Sequence, residues 1–167
     1  DAAMTALARL PGSHLCVVDN ASGDDSNEII TAHLAQATNT SVSFIQSAVN
    51  GGFGAGNNLG IKAALESPTL PEYIFVLNSD AFPEPDAIKA LSAYLDTHPR
   101  AGIAGSQIWG TDGVFHETAF RFPTIWSEIE SGIGLGLVTK LLKEYQVPIL
   151  PPPKVTQKVD WLAGASM

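Results

Sequence analysis

The chain has 167 residues, 45% of them hydrophobic and 16% charged, which is the balance of a folded domain and excludes a disordered one. Its net charge of −8 leaves no basic stripe for nucleic acid, although a nucleotide phosphate bridged by a cation stays open to it. The lone Cys16 sits in an apolar run, reads as a core thiol and excludes an internal disulfide framework; no signal-peptide pattern and no apolar run of spanning length is present.

Helix formers with Met4, Leu7 and Leu10 at a core-facing spacing predict a helix over 1–10, closed by Pro11-Gly12. A buried strand over 14–18 follows. It finishes in Asp19-Asn20-Ala21-Ser22-Gly23-Asp24-Asp25-Ser26, so a carboxylate stands at a strand tip. Asp25 or Ser26 caps a helix over 27–37 that buries Ile29, Ile30 and Leu34, with His33 at its surface or boundary. A shorter strand over 42–45 leads to a loop, 50–60, with four glycines in the six positions 51–56. These glycines let backbone approach a ligand or take positive φ, and the helix expected after the loop, through Ile61 and Ala64 to about Leu65, offers its N-terminus to a phosphate or ribose. A dinucleotide fingerprint is excluded, because Asn57 and Leu59 stand where its third glycine is needed.

The apolar run over 74–77 is the second strand to end in acid, here Asn78-Ser79-Asp80. In open α/β sheets the carboxyl ends of strands are where ligands bind, and Asp80 suits a divalent cation held against a phosphate. An Asx turn closing the strand is an equal reading. Pro83 and Pro85 stop the strand, and Asp86 begins a helix over 86–95. A strand over 103–109, the turn dipeptide Asp112-Gly113 and a return over 114–116 predict a hairpin. The pattern loosens from Arg121. An apolar segment over 132–145 with two lysines either lies in a headgroup layer or packs on the sheet. Pro151 to Pro153 read as a stiff exposed linker, and 159–167 as a strand running into a small-residue turn. The alternation of helices and strands predicts an α/β fold, a mainly parallel sheet covered on both faces.

Taken in order, VVDNASGDDS, NGGFGAGNNLGI, FVLNSDAFPEPDAI and VDWLAGASM resemble the family 2 glycosyltransferases, most closely a rhamnosyltransferase-like branch. The resemblance implies the Rossmann-like GT-A fold, a single domain over 1–167 in which 1–109 is the nucleotide-binding part and 110–167 the start of an acceptor-binding part. It puts Asp19 and Asn20 at the nucleobase and ribose, Asn50, Gly52 and Asn57 beside the nucleotide, and Asn78 and Asp80 at the metal motif. Asn78 replaces that motif's first carboxylate, leaving Asp80 as the ligand for Mg2+ or Mn2+. Trp161, Gly164 and Ala165 fall on the acceptor and donor-sugar side.

The implied function is transfer of a sugar, rhamnose in this branch, from a nucleoside-diphosphate donor to a glycan or lipid-linked acceptor. The family inverts the anomeric carbon, and the setting is cell-surface polysaccharide synthesis. The place is the cytoplasm, with a peripheral membrane contact at its inner face as an option. The family's general base belongs to an acidic motif expected beyond Met167, and its first strand is expected before residue 1. The chain therefore reads as an incomplete enzyme, truncated at both ends, that binds nucleotide poorly, transfers little alone and exposes a sheet edge open to homodimer pairing. His116-Glu117 is a substitute base or, more simply, a polar pair at a hairpin end. Two rivals are a non-catalytic nucleotide-sugar-binding module and a sugar-1-phosphate nucleotidyltransferase. The absence of Lys and Arg from 50–60 counts against the second.

Overall fold

A computed structural model describes residues 2–7, 9–35, 41–133 and 136–167. Helix α1 (Ala2–Leu7) is shorter than its spacing predicts. Beyond it, the amides of Arg9 and Leu10 bond back to Ala6 and Leu7 as turns. Pro11 disfavours helical backbone at Leu10, so the helix could not have run to residue 10. The buried residue of this helix is Ala6, 1% exposed, while Met4 and Leu7 are half-buried.

Strands β1 (His14–Asp19) and β2 (Ser41–Gln46) pair in parallel, from His14 opposite Ser41 to Asp19 opposite Gln46. Parallel neighbours need a crossover, and α2 (Ser26–Leu34) supplies it. The His14 ring clamps the start of the pair, within 2.8 Å of both the Ser41 and Ser43 hydroxyls. Two expectations for α2 change. Asp25 stands at the N-cap without a side-chain bond, and Asp24 Oδ1 instead accepts the Ser26 amide at 3.0 Å. Ile29, expected inside, is 58% exposed. The expected helix end at Ala37 lies outside the described residues, as do Asp1 and, further on, Gly134 and Leu135.

The glycine stretch departs most from its reading. Helix α3 begins at Phe53 and runs to Leu65, so Gly54, Gly56 and Gly60 are helical and not loop. A side chain at Gly60 would meet Val18 Cγ2 at 3.3 Å, and one at Gly56 would meet Asn20 at 3.4 Å. Two glycines one turn apart thus let α3 lie close against β1. Helix propensity argues against glycine here, and packing overrides it.

The apolar run over 74–77 is extended but forms no ladder with β1 or β2. Val76 exchanges backbone bonds with Met167 (2.7 and 3.1 Å), and Leu77 bridges Ser166 antiparallel. Ile74, read as buried, is 41% exposed. The Tyr73 hydroxyl donates to Asp96 Oδ1 at 2.7 Å, tying this segment to α4 (Ala87–Thr97), and that bond pushes the phenol up to about 12.

The expected hairpin forms over fewer residues. β3 (Ile108–Trp109) and β4 (Phe115–His116) are antiparallel around Gly113, which has φ +75°. β5 (Ala119–Phe120) pairs with β6 (Trp161–Leu162), and between them run α5 (Ile125–Ile133), α6 (Gly136–Leu141) and a 3-10 turn, Lys143–Tyr145. The proline linker is held rather than free: Pro152 and Pro153 are half-buried, and Gln107 Nε2 donates to the Pro153 carbonyl. The arrangement is α/β with a small parallel sheet. Among the described residues Ala6 and Ala119 are the buried apolar ones, and no large side chain is fully enclosed.

Candidate functional site

Asp19 ends β1 and is only 4% exposed. Its Oδ1 is occupied: it accepts the Ser22 amide at 3.2 Å and the Ser22 hydroxyl, within the turn that Ala21 opens at φ +60°. Its Oδ2 is buried and has no hydrogen-bond partner. A buried carboxylate oxygen without a donor is expensive, and native structures rarely keep one without use. What would relieve it is an N–H or O–H donor, from an ordered water or a ligand.

Asn20, the next residue, is tied to the loop that precedes α3. Its Nδ2 donates to Asn50 Oδ1 at 3.1 Å and to the Gly52 carbonyl at 3.0 Å, and its Oδ1 accepts the Gly51 amide at 3.4 Å. Asn50 Oδ1 also accepts the Gly52 amide at 3.0 Å. Gly52 has φ +81°, a conformation a larger residue adopts only with strain, and α3 starts directly after it. Asn57, half-buried, lies one turn inside the helix.

The last residues of the chain close on the same place. A side chain at Gly164 would meet the Phe53 ring at 3.1 Å, so this loop rests on the first residue of α3. The Ala165 carbonyl accepts the Asn78 amide at 3.1 Å. Ser166, 7% exposed, is bonded through its hydroxyl to Ser106 at 2.8 Å. A path of direct contacts therefore runs from Asn20 through the 50–52 loop, Phe53 and Gly164 to Ala165 and Asn78. Ser22 and Phe53 belong to this cluster and sequence reasoning missed both. Ser22 was legible as a hydroxyl three residues after an acid, close enough in sequence for a local side-chain bond.

Asn78 carries the second orphan: its Oδ1 is buried without a partner. Asp80 follows in an exposed turn. An amide oxygen and a carboxylate two residues apart are hard donors of the kind Mg2+ or Mn2+ accepts. Among the described residues no three His, Cys, Asp or Glu side chains converge on one point. These two residues alone supply two oxygen donors, so a cation here would need its remaining ligands from elsewhere.

Trp161 stands on β6, 42% exposed, stacked on Phe120 at 4.1 Å with Nε1 donating to the Arg121 carbonyl at 3.1 Å. His116 and Glu117 are exposed and sit elsewhere: His116 Nε2 lies against Gly110, and Glu117 lines a cleft beneath α5.

Compared with known proteins, residues 3–152 match the family described as glycosyl transferase family 2. Residues Trp161, Gly164 and Ala165 fall after that match. No curated protein and no solved structure matches the chain.

Proposed function

The chain belongs to glycosyl transferase family 2, a glycosyltransferase family of the GT-A fold acting on a nucleotide-sugar donor and an acceptor, and from that premise we propose that it moves a hexose-type sugar, rhamnose first among the candidates, from a nucleoside diphosphate to a glycan or lipid-linked acceptor with inversion. In this reading 1–109 binds the nucleotide and 110–167 begins the acceptor side. The setting is surface-polysaccharide assembly at the cytoplasmic face of a membrane.

The observation that carries the donor site is Asp19 Oδ2, buried without a partner at a strand tip. A pyrimidine imide N–H is the donor it suits, which favours uridine or deoxythymidine diphosphates. Asn20, Asn50, Gly52 and Asn57 would frame the nucleoside, and the α3 N-terminus would favour the negative charge of the diphosphate. Asn78 and Asp80 are the residues that would hold a divalent cation on the diphosphate. A bound cation supplies charge neutralisation as negative charge builds on the leaving phosphate. Trp161, Gly164 and Ala165 form the sugar and acceptor side, where a side chain at Gly164 would need the Phe53 ring to give by a few tenths of an ångström. The proton of the attacking hydroxyl needs a carboxylate within hydrogen-bond reach, and no residue described here is assigned that part.

Calorimetric titration of uridine and deoxythymidine diphosphates, with and without manganese, tests this. Asp19→Asn keeps an oxygen for Ser22 and removes the charged acceptor. Affinity is expected to fall by roughly 10- to 100-fold, the range of a hydrogen bond to a charged group. No heat with either diphosphate, in either condition, would overturn the reading.

A further inference from the structure

The turn that carries Asp80 hangs on Asn78. The Asn78 carbonyl accepts the Ala81 amide at 3.1 Å, which closes the turn, and the Asn78 amide donates to the Ala165 carbonyl at 3.1 Å. The segment over 74–77 makes no ladder with β1 or β2, and Val76 and Asn78 take their backbone bonds from 165–167 instead. Whatever sets the register of 165–167 therefore also aims Asn78 Oδ1, the buried oxygen without a partner.

Residues 165–167 lie between two neighbours, and their backbone groups turn alternately to opposite sides. Ala165 and Met167 turn to 76–78, Met167 exchanging both of its bonds with Val76. Ser166 turns the other way, and its carbonyl accepts the Ser106 amide at 3.3 Å. The two serine hydroxyls pair at 2.8 Å, although they stand 60 residues apart in the sequence. Gly105 permits the approach: a Cβ there would meet Leu162 Cδ1 at 2.9 Å and the Ser166 carbonyl at 3.3 Å. Ser166 is 7% exposed and Ser106 half-buried. A hydroxyl shut away from water needs a partner, and each of these serves the other. A slip of one residue would put Ala165 or Met167 opposite Ser106, leave both hydroxyls unpaired and turn a different carbonyl toward Asn78.

We infer that Ser106 and Ser166 are positioning residues for Asn78 and Asp80. Their hydroxyl pair locks the register of 165–167 and so sets where Asn78 Oδ1 and the turn after it stand. The serines act through the backbone, not by contact with the donor. The inference rests on the donor-site reading, in which Asn78 and Asp80 hold a cation on the diphosphate. A plain structural bond is the rival role. It predicts a loss of stability with no change in what a cation does for nucleotide affinity.

The test compares the parent chain with Ser106→Ala, which removes one hydroxyl from a half-buried site and no backbone donor or acceptor. Gln107→Ala is the control: it breaks the neighbouring side-chain bond to the Pro153 carbonyl and touches neither Ser166 nor 76–78. In Ser106→Ala the amides of Val76, Asn78 and Met167 are expected to exchange hydrogen about fivefold faster, the order of one neutral hydrogen bond, while those of β1 keep their rates. The rise in uridine or deoxythymidine diphosphate affinity on adding manganese, read by calorimetry, is expected to shrink by about the same factor. Ser106→Thr keeps the hydroxyl and is expected to restore both readouts, and Gln107→Ala to move neither. Unchanged exchange at the three amides overturns the register lock. Faster exchange with an undiminished manganese effect makes the pair structural and overturns its positioning role. Equal effects from Gln107→Ala overturn it too, since any lost bond would then serve. All three of these outcomes leave the donor site standing. A parent chain whose affinity manganese does not raise overturns the cation reading and this inference together.

Discussion

Two apolar runs in this chain end in acid, one a strand and the other an unladdered segment, and the structure treats the two tips differently. Asp19 is shut in at 4% exposure, with one oxygen fixed by Ser22 and the other aimed at nothing. Asp80 stands in an exposed turn, two residues past an amide oxygen that is itself buried and unpartnered. If the proposed donor site is right, the enclosed carboxylate suits the flat edge of a base, and the exposed one suits a cation whose other ligands come from the substrate.

If the first tip is rigid because α3 is seated on β1, unseating the helix breaks the contrast. Gly60 is the place to do it, since a Cβ there meets Val18 Cγ2 at 3.3 Å. Gly60→Val drives further methyls into that contact, and a stability loss of about 1–3 kcal/mol in urea unfolding is expected from overpacking. Nucleotide affinity is expected to fall with it, because Val18 directly precedes Asp19. Gly60→Ala sharpens the comparison. Its methyl needs Val18 to give by only a few tenths of an ångström, and the helix gains up to about 1 kcal/mol from alanine, so stability is expected to change little.

That seating explains what was legible in the sequence. β1, β2, α4 and the hairpin were readable because apolar runs, prolines and the Asp-Gly turn act locally. Where α3 begins was not, since its glycines serve contact with β1, which no local propensity encodes. The run over 74–77 shows another limit. Its apolar pattern announced a buried strand, whereas the segment makes only an isolated antiparallel bridge and a few backbone bonds to 165–167, about ninety residues away. The candidate site residues Asp19, Asn20, Asn50, Gly52, Gly164, Ala165 and Asn78 lie along one connected path, while Trp161 joins β6 and the Phe120 ring beside it.

The second tip is broken by Asp80→Ala. The exposed turn has little packing to lose, so the melting temperature is expected to stay within error. Nucleotide affinity without metal is expected to be unchanged. Manganese is expected to lose its effect on that affinity, by about tenfold, the order for one charged contact. Equal manganese dependence in the variant and the parent, read in the same calorimeter, would remove Asp80 from the cation. The contrast between the tips would then be one of exposure alone.

The smallest effect lies between the tips, at Asp24. Its carboxylate caps the crossover helix by accepting the Ser26 amide at 3.0 Å, and bonds from the Ser26 side chain and backbone hold its pKa below the model-compound value of 3.8. A carboxyl lowered in the folded state contributes stability above its unfolded-state value and loses it as the pH falls through its folded-state value. The group is fully exposed, so the contribution is small. Asp24→Ala is expected to lower the melting temperature slightly at neutral pH, and by less as the pH drops below 3.8. A penalty that persists unchanged at the lowest pH would mean that chain geometry, not charge, is what Asp24 gives the helix.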